Sequence, residues 1–206
     1  MLSTQLSTGL TDLGISLTTA QQQQLLDYIA LLHRWNQKHN LSGIHILEQM
    51  VTHHLLDSLS ILPYMSGTRW ADVGSGAGLP GIPLAIARPD VEITLIEPRS
   101  KRVDFLYYAA THLGIGRILI VQGKSEDLHA EVGYDTVVTR AFADLNTAVQ
   151  KTKHLWAAKG CLVAMKGQLD PNELLVDTQQ YCLRTEALHV PGLNKQRHAV
   201  IVTQNG

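Results

Sequence analysis

Between residues 68 and 167 the chain alternates short β-rich runs with segments of helical composition, and this alternation limits its fold more than any other feature. A helix placed between two strands returns the chain to the same end of the sheet, so that the strands become parallel. The pattern therefore predicts an α/β fold with helices on both faces of the sheet. The five runs are TRWADV (68–73), VEITLIE (91–97), RILIVQG (117–123), YDTVVTR (134–140) and CLVAMKG (161–167).

The segments between and after these runs complete the pattern. DPNE (170–173) predicts a helix start, because it combines an N-cap aspartate with proline and glutamate at the first and third helical positions. TEALHV (185–190) and RHAVIVTQ (197–204) predict an antiparallel hairpin at the sheet edge, which brings the strands to seven. Further helices are expected at 79–87, 101–113 and 145–158, with a short turn at 125–130.

The first 66 residues contain no strand-like run, and their apolar residues recur at helical spacing. Thr18 or Thr19 is a suitable N-cap for a helix that NLSGI ends, and a second helical pattern stops around Pro63 and Gly67. We therefore expect a single domain over 1–206, made of an N-terminal helical extension (1–66) and a sheet core (67–206).

Composition indicates an ordinary globular protein, with 206 residues, 45% of them hydrophobic, and a net charge of −1. The near-zero charge is mildly unfavourable for a protein that binds nucleic acid over a broad basic surface, so any such binding depends on a local patch. No secretory signal or membrane span is recognisable, and Cys161 and Cys182 have no metal or redox spacing. We expect a cytoplasmic monomer with reduced thiols.

The stretch WADVGSGAGLPGIPLAIA (70–87) follows the first strand-like run and leads into a helix. Gly74, Gly76 and Gly78 allow a sharp turn and a close approach of ligand to backbone, at the strand end where open α/β sheets bind ligands. Glu97 ends the next run, about 20 residues further on, where a carboxylate accepts hydrogen bonds from ribose hydroxyls. Together they predict a site for a nucleoside-containing cofactor.

Two cofactors fit this stretch. GAGLPG (76–81) matches the dinucleotide pattern G-x-G-x-x-G. DVGSGAG (72–78) resembles the first motif of class I S-adenosylmethionine methyltransferases, in which Asp72 precedes the glycines and has no counterpart role in pyrophosphate binding. Five βα strands with a terminal hairpin also resemble the methyltransferase sheet. S-adenosylmethionine is the predicted cofactor, and a nicotinamide dinucleotide is the alternative.

Several motifs carry a more specific resemblance that covers nearly the whole chain. In order along the sequence they are RWNQKHNLSGI, HHLLDSLSIL, ADVGSGAGLPGIPLAI, IEPRSKRVDFL, GKSEDL, VVTRAFADL and AMKG. This chain resembles the bacterial guanine-N7 methyltransferases of 16S ribosomal RNA, historically called glucose-inhibited division protein B. The resemblance implies a class I Rossmann-like methyltransferase fold, and methylation of a guanine in the 530 loop of the small-subunit RNA.

The resemblance also implies cofactor contacts at Gly74, Leu79, Ser125, Glu126 and Arg140, all just past the ends of predicted strands. Glu126 has a second interpretation, as a solvated carboxylate at a helix start. With the residues of the glycine-rich stretch and its partner acid, the expected cofactor-binding set is Gly74, Gly76, Gly78, Leu79, Glu97, Ser125, Glu126 and Arg140.

The residues after the fourth strand bear on the methyl acceptor. Adenine amine methyltransferases carry an Asn/Asp-Pro-Pro-aromatic loop there, whereas this chain has TRAFAD (139–144). Carbon-5 methylation of pyrimidines needs a nucleophilic cysteine, but Cys161 lies in an apolar strand and Cys182 in a predicted helix tail. Guanine N7 presents an in-plane lone pair, so positioning alone can carry its methylation. We therefore expect catalysis by positioning and assign no catalytic base or nucleophile.

Basic residues near the predicted site are candidates for contact with RNA. Lys124, Arg140 and Lys166 follow the third, fourth and fifth strands, and Arg140 and Lys166 are the candidates for contact with the reacting nucleotide. Three further cations lie near the end of the second strand: Arg99, Lys101 and Arg102. They are interpreted either as RNA ligands or as solvent-exposed residues at the start of a helix.

Two other residue groups receive structural interpretations. His53, His54 and Asp57 lie in an amphipathic helix without a second cluster of ligands, so no metal site is expected. Trp35, Trp70 and Trp156 are interpreted as core or interface residues rather than platforms for base stacking.

The glycine-rich stretch and the strand order predict an S-adenosylmethionine-dependent methyltransferase, and the resemblance implies the small-subunit RNA as its partner. Two alternatives are also compatible with the sequence. One is a nicotinamide-dependent oxidoreductase that uses GAGLPG (76–81), and the other is a non-catalytic RNA-binding or ribosome-assembly factor.

Overall fold

The computed structural model describes residues 1–170, 174 and 176–205, which form a seven-stranded sheet in the order β3-β2-β1-β4-β5-β7-β6. β1 to β5 run parallel to one another, and β7 runs antiparallel to both β5 and β6. The predicted α/β sheet with a terminal hairpin is confirmed. The strands are β1 (Arg69–Val73), β2 (Glu92–Glu97), β3 (Ile118–Gln122), β4 (Tyr134–Arg140), β5 (Trp156–Lys166), β6 (Tyr181–Ala187) and β7 (His198–Gln204).

The register of the parallel strands brings their carboxyl ends to one edge of the sheet. Val73 pairs with Ile96 of β2 and with Thr139 of β4, while Glu97 pairs with Gln122 of β3. The loops that follow β1 to β4 therefore begin side by side, at the edge where open α/β sheets bind their ligands.

The N-terminal extension is helical, as predicted, but one part of it is a π-helix. Thr18 caps the second helix in a capping box with Gln21, and Asn40 ends that helix in the left-handed conformation, with φ +48°. The helices of the extension are α1 (Leu2–Asp12), α2 (Thr19–His39), α3 (Leu47–Met50), a π-helix (Val51–Leu56), α4 (Asp57–Leu59) and a 3-10 turn (Leu62–Tyr64).

Two hydrophobic clusters cover the faces of the sheet. On one face, Leu55 and Leu59 of the extension belong to the same buried cluster as Ile82, Ile86 and Phe105. Full burial of such a side chain contributes about 1.5–3 kcal/mol, so this packing holds the extension onto the core. The opposite face is covered by a second cluster that includes Leu145, Val149, Leu162 and Val200.

Among the described residues, three α-helices connect the strands: α5 (Gly81–Ala87), α6 (Ser100–His112) and α7 (Leu145–Thr152). The helix predicted over 145–158 ends early, because the chain passes through a 3-10 turn (Lys153–Leu155) and enters β5 at Trp156. The Trp156 ring is buried against Tyr181, and its Nε1 donates to Thr152 Oγ1. Packing of the Trp156 ring against Tyr181 thus stabilises a strand where the apolar spacing of residues 145–158 predicted a helix.

The last part of the chain also departs from the predicted boundaries. Cys182 lies exposed in β6 rather than in a helix tail, because β6 begins at Tyr181 and pairs there with Gln204. The helix start predicted at 170–173 falls largely outside the described residues. Within the described chain, no helix combines the length and apolar character that crossing a membrane requires.

Candidate active site

The glycine-rich stretch forms a tight turn between β1 and α5. The amides of Gly74 and Ser75 both donate to the carbonyl of Ile96, at 2.9 and 3.2 Å, which ties the turn to the end of β2. Gly76 has φ +59°, and a Cβ at this position would meet only Arg102 Nη1 at 3.7 Å and the Gly74 carbonyl at 3.8 Å. Its backbone therefore borders open space, as the close approach of a ligand requires.

Asp72, near the end of β1, is buried beneath the glycine turn and stabilises it. Its buried Oδ2 accepts a hydrogen bond of 2.9 Å from the amide of Gly81, the first residue of α5. Burial raises the pKa of Asp72 to about 7, and its Oδ1 has no hydrogen-bond partner among the described residues. The acid that precedes the glycines thus orients the helix that follows them.

Glu97 joins the glycine turn to the start of α6. Its buried carboxylate accepts from the amide of Gly76 at 2.9 Å and from the amide of Arg99 at 3.0 Å, and Arg102 Nη1 lies 3.6 Å away. In the described structure this carboxylate therefore holds the turn. A carboxylate has about four lone-pair sites, so acceptor capacity remains for the ribose hydroxyls that the sequence predicts there.

A groove of about 240 Å³ runs across the ends of β1, β2 and β3. It brings together four of the residues predicted as ligands: Gly74, Lys124, Ser125 and Glu126. Glu126 pairs with Lys151 at 2.9 Å, which, with other hydrogen bonds, holds the pKa of Glu126 at about 2. We call this the Ser125 groove; its remaining lining residues are Val73, Ile96, Pro98, Gly123, Phe142 and Lys151.

A second cavity, of about 370 Å³, lies on the other side of Gly74. It is bounded by the glycine turn, the loop at 41–44 of the extension, and the end of β4, where Ala141 has a strained φ of +51°. Strained backbone of this kind clusters at functional sites. We call this the Arg140 cavity; it includes Leu79, His54, Arg102 and Arg140 in its lining.

A buried cluster of charged and polar groups fixes Arg140 in this cavity. Asp57 Oδ2 lies 3.5 Å from Arg140 Nη1, and Asp57 Oδ1 accepts from Arg197 Nε at 2.9 Å. His54 Nδ1 lies 3.4 Å from Arg140 Nη2, and its Nε2 lies 2.8 Å from Ser42 Oγ. Burial, and secondarily the Arg140 charge, lower the pKa of His54 to about 4, so the imidazole is neutral at physiological pH.

Sequence reasoning missed three members of this cluster. It interpreted His54 and Asp57 as part of one face of an amphipathic helix, and it did not single out Arg197. The sequence contained a weak signal for this cluster. Asp57 stands between two histidines and serines in an otherwise apolar helix, and a charged side chain that is buried there needs polar partners. The sequence does not show which residues those partners are.

The other predicted cations have different surroundings. Lys166 donates to the carbonyl of Ala143 at 2.6 Å and so supports the loop after β4. Arg99 and Lys101 are exposed at the start of α6, whereas Arg102 faces Glu97 and the Arg140 cavity. In the part of the chain that the structure describes, no three His, Cys, Asp or Glu side chains are grouped as a metal site.

The two cavities meet at Gly74, which lines both. Gly76 borders open space beside the buried Glu97, and Arg140 Nη1 is buried without a hydrogen-bond partner among the residues described. A nucleoside with a charged tail fits this arrangement. Its ribose hydroxyls can donate to the carboxylate of Glu97, and the carboxylate of its tail can bind Arg140. The sheet order with its antiparallel β7 and this site define a class I S-adenosylmethionine-dependent methyltransferase.

Solved structures share this fold. A SAM-dependent methyltransferase from Aquifex aeolicus has a TM-score of 0.53 at 12% identity and covers 72% of this chain and 90% of its own. An rRNA methylase from Streptococcus thermophilus has a TM-score of 0.51 at 12% identity, covering 73% and 94%. TYW2 from M. jannaschii, solved in complex with AdoMet, has a TM-score of 0.55 at 13% identity, covering 73% and 74%.

Sequence comparison identifies the family. The family model GidB, described as rRNA small subunit methyltransferase G, matches residues 21–200. Ribosomal RNA small subunit methyltransferase G of Methylobacillus flagellatus is 44% identical over 96% of both chains, and that of Escherichia coli is 41% identical over 97% of both. The chain belongs to the rRNA small subunit methyltransferase G family, and S-adenosylmethionine is its cofactor. The oxidoreductase and non-catalytic alternatives are set aside.

Proposed function

We propose that this chain transfers a methyl group from S-adenosylmethionine to N7 of a guanine in the 530 loop of 16S ribosomal RNA. The family membership supports methylation of ribosomal RNA, and the resemblance noted in the sequence suggests the nucleotide. When bound, S-adenosylmethionine supplies an electrophilic methyl group on its sulfonium. N7 is unprotonated at neutral pH and keeps its lone pair in the ring plane, so the protein must position it and need not deprotonate it.

The titratable groups that line the Arg140 cavity support N7 as the methyl acceptor, because none of them is a suitable general base. Among the described residues that line it, these groups are His54, Arg102 and Arg140. The lowered pKa of His54 makes it a weak base, and arginine stays protonated. Asp72, whose pKa is raised to about 7, is fully buried under the turn and does not line the cavity. An acceptor that must lose a proton finds no suitable base there.

Other acceptors need groups that the described site lacks. The backbone after β4 carries Ala141, Phe142 and Ala143 where amine methyltransferases place paired prolines and an aromatic ring. Cys161 is buried 3.8 Å from Thr136 Oγ1, and Cys182 is exposed on the edge strand β6. Neither thiol lines either cavity, so carbon-5 methylation has no nucleophile.

The two cavities suggest how the reactants lie. In this proposal the adenosine occupies the Ser125 groove and the methionine part crosses Gly74 towards Arg140, so that the methyl group faces the Arg140 cavity. The guanine enters that cavity, with Lys124, Arg140 and Lys166 contacting the RNA. The donor would be held by Gly74, Gly76, Gly78, Leu79, Glu97, Ser125, Glu126 and Arg140. We further propose that the enzyme acts in the cytoplasm as a monomer.

Replacement of N7 in the RNA tests this function directly. RNA transcribed with 7-deazaguanosine keeps its Watson–Crick pairing but has a C–H group in place of each guanine N7. With labelled S-adenosylmethionine, we expect methyl incorporation into ordinary small-subunit RNA and none into the 7-deazaguanosine RNA. RNA that contains 7-deazaadenosine is the matched control and should be methylated normally.

Methylation of the 7-deazaguanosine RNA at the ordinary rate would move the acceptor to another atom. Loss of methylation in both deaza RNAs would show that the substitution acts through RNA structure and would remove this support for N7. Failure to methylate the unmodified RNA, free or in the assembled subunit, would contradict the assignment of a ribosomal RNA substrate.

A further inference from the structure

A third groove lies between the end of α2 and the outer face of α6. Its volume is about 470 Å³, and its lining combines aromatic rings with cations. We call it the Trp35 groove; its lining residues are Leu31, Arg34, Trp35, Gln37, Lys38, His39 and Tyr108. Neither the family name nor the proposed reaction gives this groove a role.

The rings of this groove form a connected series. Trp35 contacts His39 and Tyr108, each with ring centroids 5.3 Å apart, and its inner side packs edge-on against Phe105 at 5.4 Å. Tyr108 stacks on His112 with ring planes 10° apart. Trp35 is half-buried and Tyr108 is 45% exposed, whereas Trp70 and Trp156 are buried in the core. Trp35, interpreted from the sequence as a core or interface residue, thus has a buried inner side and an outer side that faces the groove.

The described residues that line this groove include Arg34 and Lys38 and no aspartate or glutamate, although the whole chain is nearly neutral. Residues 28–47 include Arg34, Lys38 and three histidines, and they include no aspartate or glutamate. Arg34 and Lys38 stand one helical turn apart and form no ion pair with any described residue. Cations interleaved with exposed rings suit a single-stranded nucleic acid, because the cations bind phosphates and the rings stack on bases.

The groove and the Arg140 cavity are lined by neighbouring segments of the chain. His39 lines the groove, and Leu41, two residues later, lines the cavity. Asn36 fixes this connection, since its Nδ2 donates to the carbonyl of Ser42 and its Oδ1 accepts from the amide of Ser42, both at 2.8 Å. On α6, Tyr108 lies six residues beyond Arg102, about 9 Å along the axis. A nucleotide next to the one in the cavity can therefore reach the rings.

We propose that the Trp35 groove binds single-stranded nucleotides that flank the methylated base, with Trp35 and Tyr108 stacking on bases and Arg34 and Lys38 binding phosphates. This depends on a ribosomal RNA substrate, but it does not depend on which atom is methylated. The near-neutral charge of the chain then follows from a binding surface that is local and built partly on stacking.

Binding of a small-subunit RNA fragment to the full chain, with S-adenosylhomocysteine present, tests the rings. Tyr108→Ala should weaken RNA affinity about tenfold, because a base loses its stacking partner. Tyr107→Ala is the matched control: Tyr107 is 54% exposed on the same helix, but its hydroxyl bonds to the carbonyl of Ile120, away from the groove. It should bind RNA like the wild type. Equal affinities of the two variants would overturn the proposal.

The salt dependence of binding tests the cations. Arg34→Gln with Lys38→Gln should reduce the slope of log affinity against log salt by about 1.4, since each phosphate contact to a single strand contributes about 0.7. Arg117→Gln with Lys159→Gln removes the same charges from exposed positions outside the three cavities and should leave the slope unchanged. An unchanged slope in the first variant, or the same loss in both, would contradict phosphate binding at the groove.

Two readouts separate this proposal from others. S-adenosylhomocysteine affinity, measured by calorimetry, should be the same in wild type and all four variants, because none of these residues lines the Ser125 groove or the Arg140 cavity. If the groove variants bind bare RNA normally and lose only the assembled subunit, the groove binds a subunit protein and the proposal is wrong. Wild-type methylation, measured in parallel, reports on the proposed function independently.

Discussion

Asp57 of the helical extension lies 3.5 Å from Arg140 at the end of β4, measured from Oδ2 to Nη1, and its other oxygen binds Arg197 Nε at 2.9 Å. The carboxylate is 2% exposed and each arginine side chain 22% exposed. One acid thus links the extension, the central sheet and the segment before β7. The position of Arg140 at the cavity depends on a residue outside the sheet core.

Asp57→Ala should destabilise the protein strongly, because it leaves two largely buried guanidinium groups without their counter-charge. We expect a loss of about 2–4 kcal/mol in the free energy of unfolding, near the range for broken buried ion pairs. Urea unfolding followed by circular dichroism measures it, and a single transition is expected if 1–206 is one domain. Asp90→Ala, which breaks the exposed Arg88–Asp90 pair, should cost far less. Similar losses in the two variants would contradict the central role of Asp57.

Gly76→Ala should weaken donor binding at least tenfold, because the new Cβ would occupy the open space that borders the turn. Gly114→Ala is the matched control, since Gly114 has a similar φ of +65° with nothing within 4 Å of an added Cβ. Both variants should lose about 1–2 kcal/mol of stability through the left-handed backbone conformation. Calorimetry with S-adenosylhomocysteine separates them, and unchanged affinity in Gly76→Ala would place the donor elsewhere.

His54 should make stability depend on pH. Burial holds its folded pKa at about 4, below the unfolded value of 6.5, so the unfolded chain binds the extra proton more readily between these values. The stability that neutral His54 allows is fully present above about pH 6.5 and decreases as the pH falls towards 4, by about 3 kcal/mol in total.

His54→Gln removes this titration and keeps a hydrogen-bonding group near Ser42. The difference in unfolding free energy between wild type and His54→Gln, measured from pH 4 to 7.5, should therefore shift in favour of the variant as the pH falls. Asp72 titrates in both proteins, so its opposite pH dependence cancels in the difference. A difference that is constant over this range would show that His54 is not held in its neutral form.

Lys166→Ala should raise the KM for RNA and leave S-adenosylhomocysteine affinity nearly unchanged, because Lys166 supports the loop after β4 and does not line the Ser125 groove. Lys159→Ala on the same strand, exposed and outside both cavities, is the control. Steady-state methylation at saturating S-adenosylmethionine measures the effect. Equal KM values for RNA in the two variants would remove Lys166 from the RNA-binding surface.

The sequence predicted those parts of the fold that local patterns encode. The β-rich runs, the glycine turn and the final hairpin depend on neighbouring residues, and the strand of TRWADV was placed within one residue. The sequence did not predict element boundaries that depend on contacts between distant residues. β5 was expected to begin at Cys161 and begins at Trp156, whose ring packs against Tyr181 of β6. Gly160 then lies so close to β4 that a Cβ there would meet the Tyr134 carbonyl at 2.5 Å.

In the site, too, positions that follow from local patterns were predictable and contacts between distant segments were not. Gly74, Ser125 and Glu126 follow strand ends and line one groove, and Arg140 ends β4 at the same edge of the sheet, so their placement was predictable from the parallel order of the strands. The Asp57–Arg140–Arg197 contact was not, since it joins segments far apart in the sequence and no periodicity encodes it. The lowered pKa of His54 likewise arises from burial and from Arg140, both of which depend on the folded structure.

Mapping of the methyl group in ribosomal RNA is the direct test of methylation at guanine N7. 16S RNA is isolated from cells with and without this protein, and 7-methylguanosine is located by mass spectrometry of nuclease fragments. We expect one 7-methylguanosine in the 530 loop that is present with the protein, absent without it, restored by wild type, and restored less fully by Gly76→Ala. The same 7-methylguanosine in both RNAs, or a protein-dependent methyl group on another atom or in another region, would contradict it.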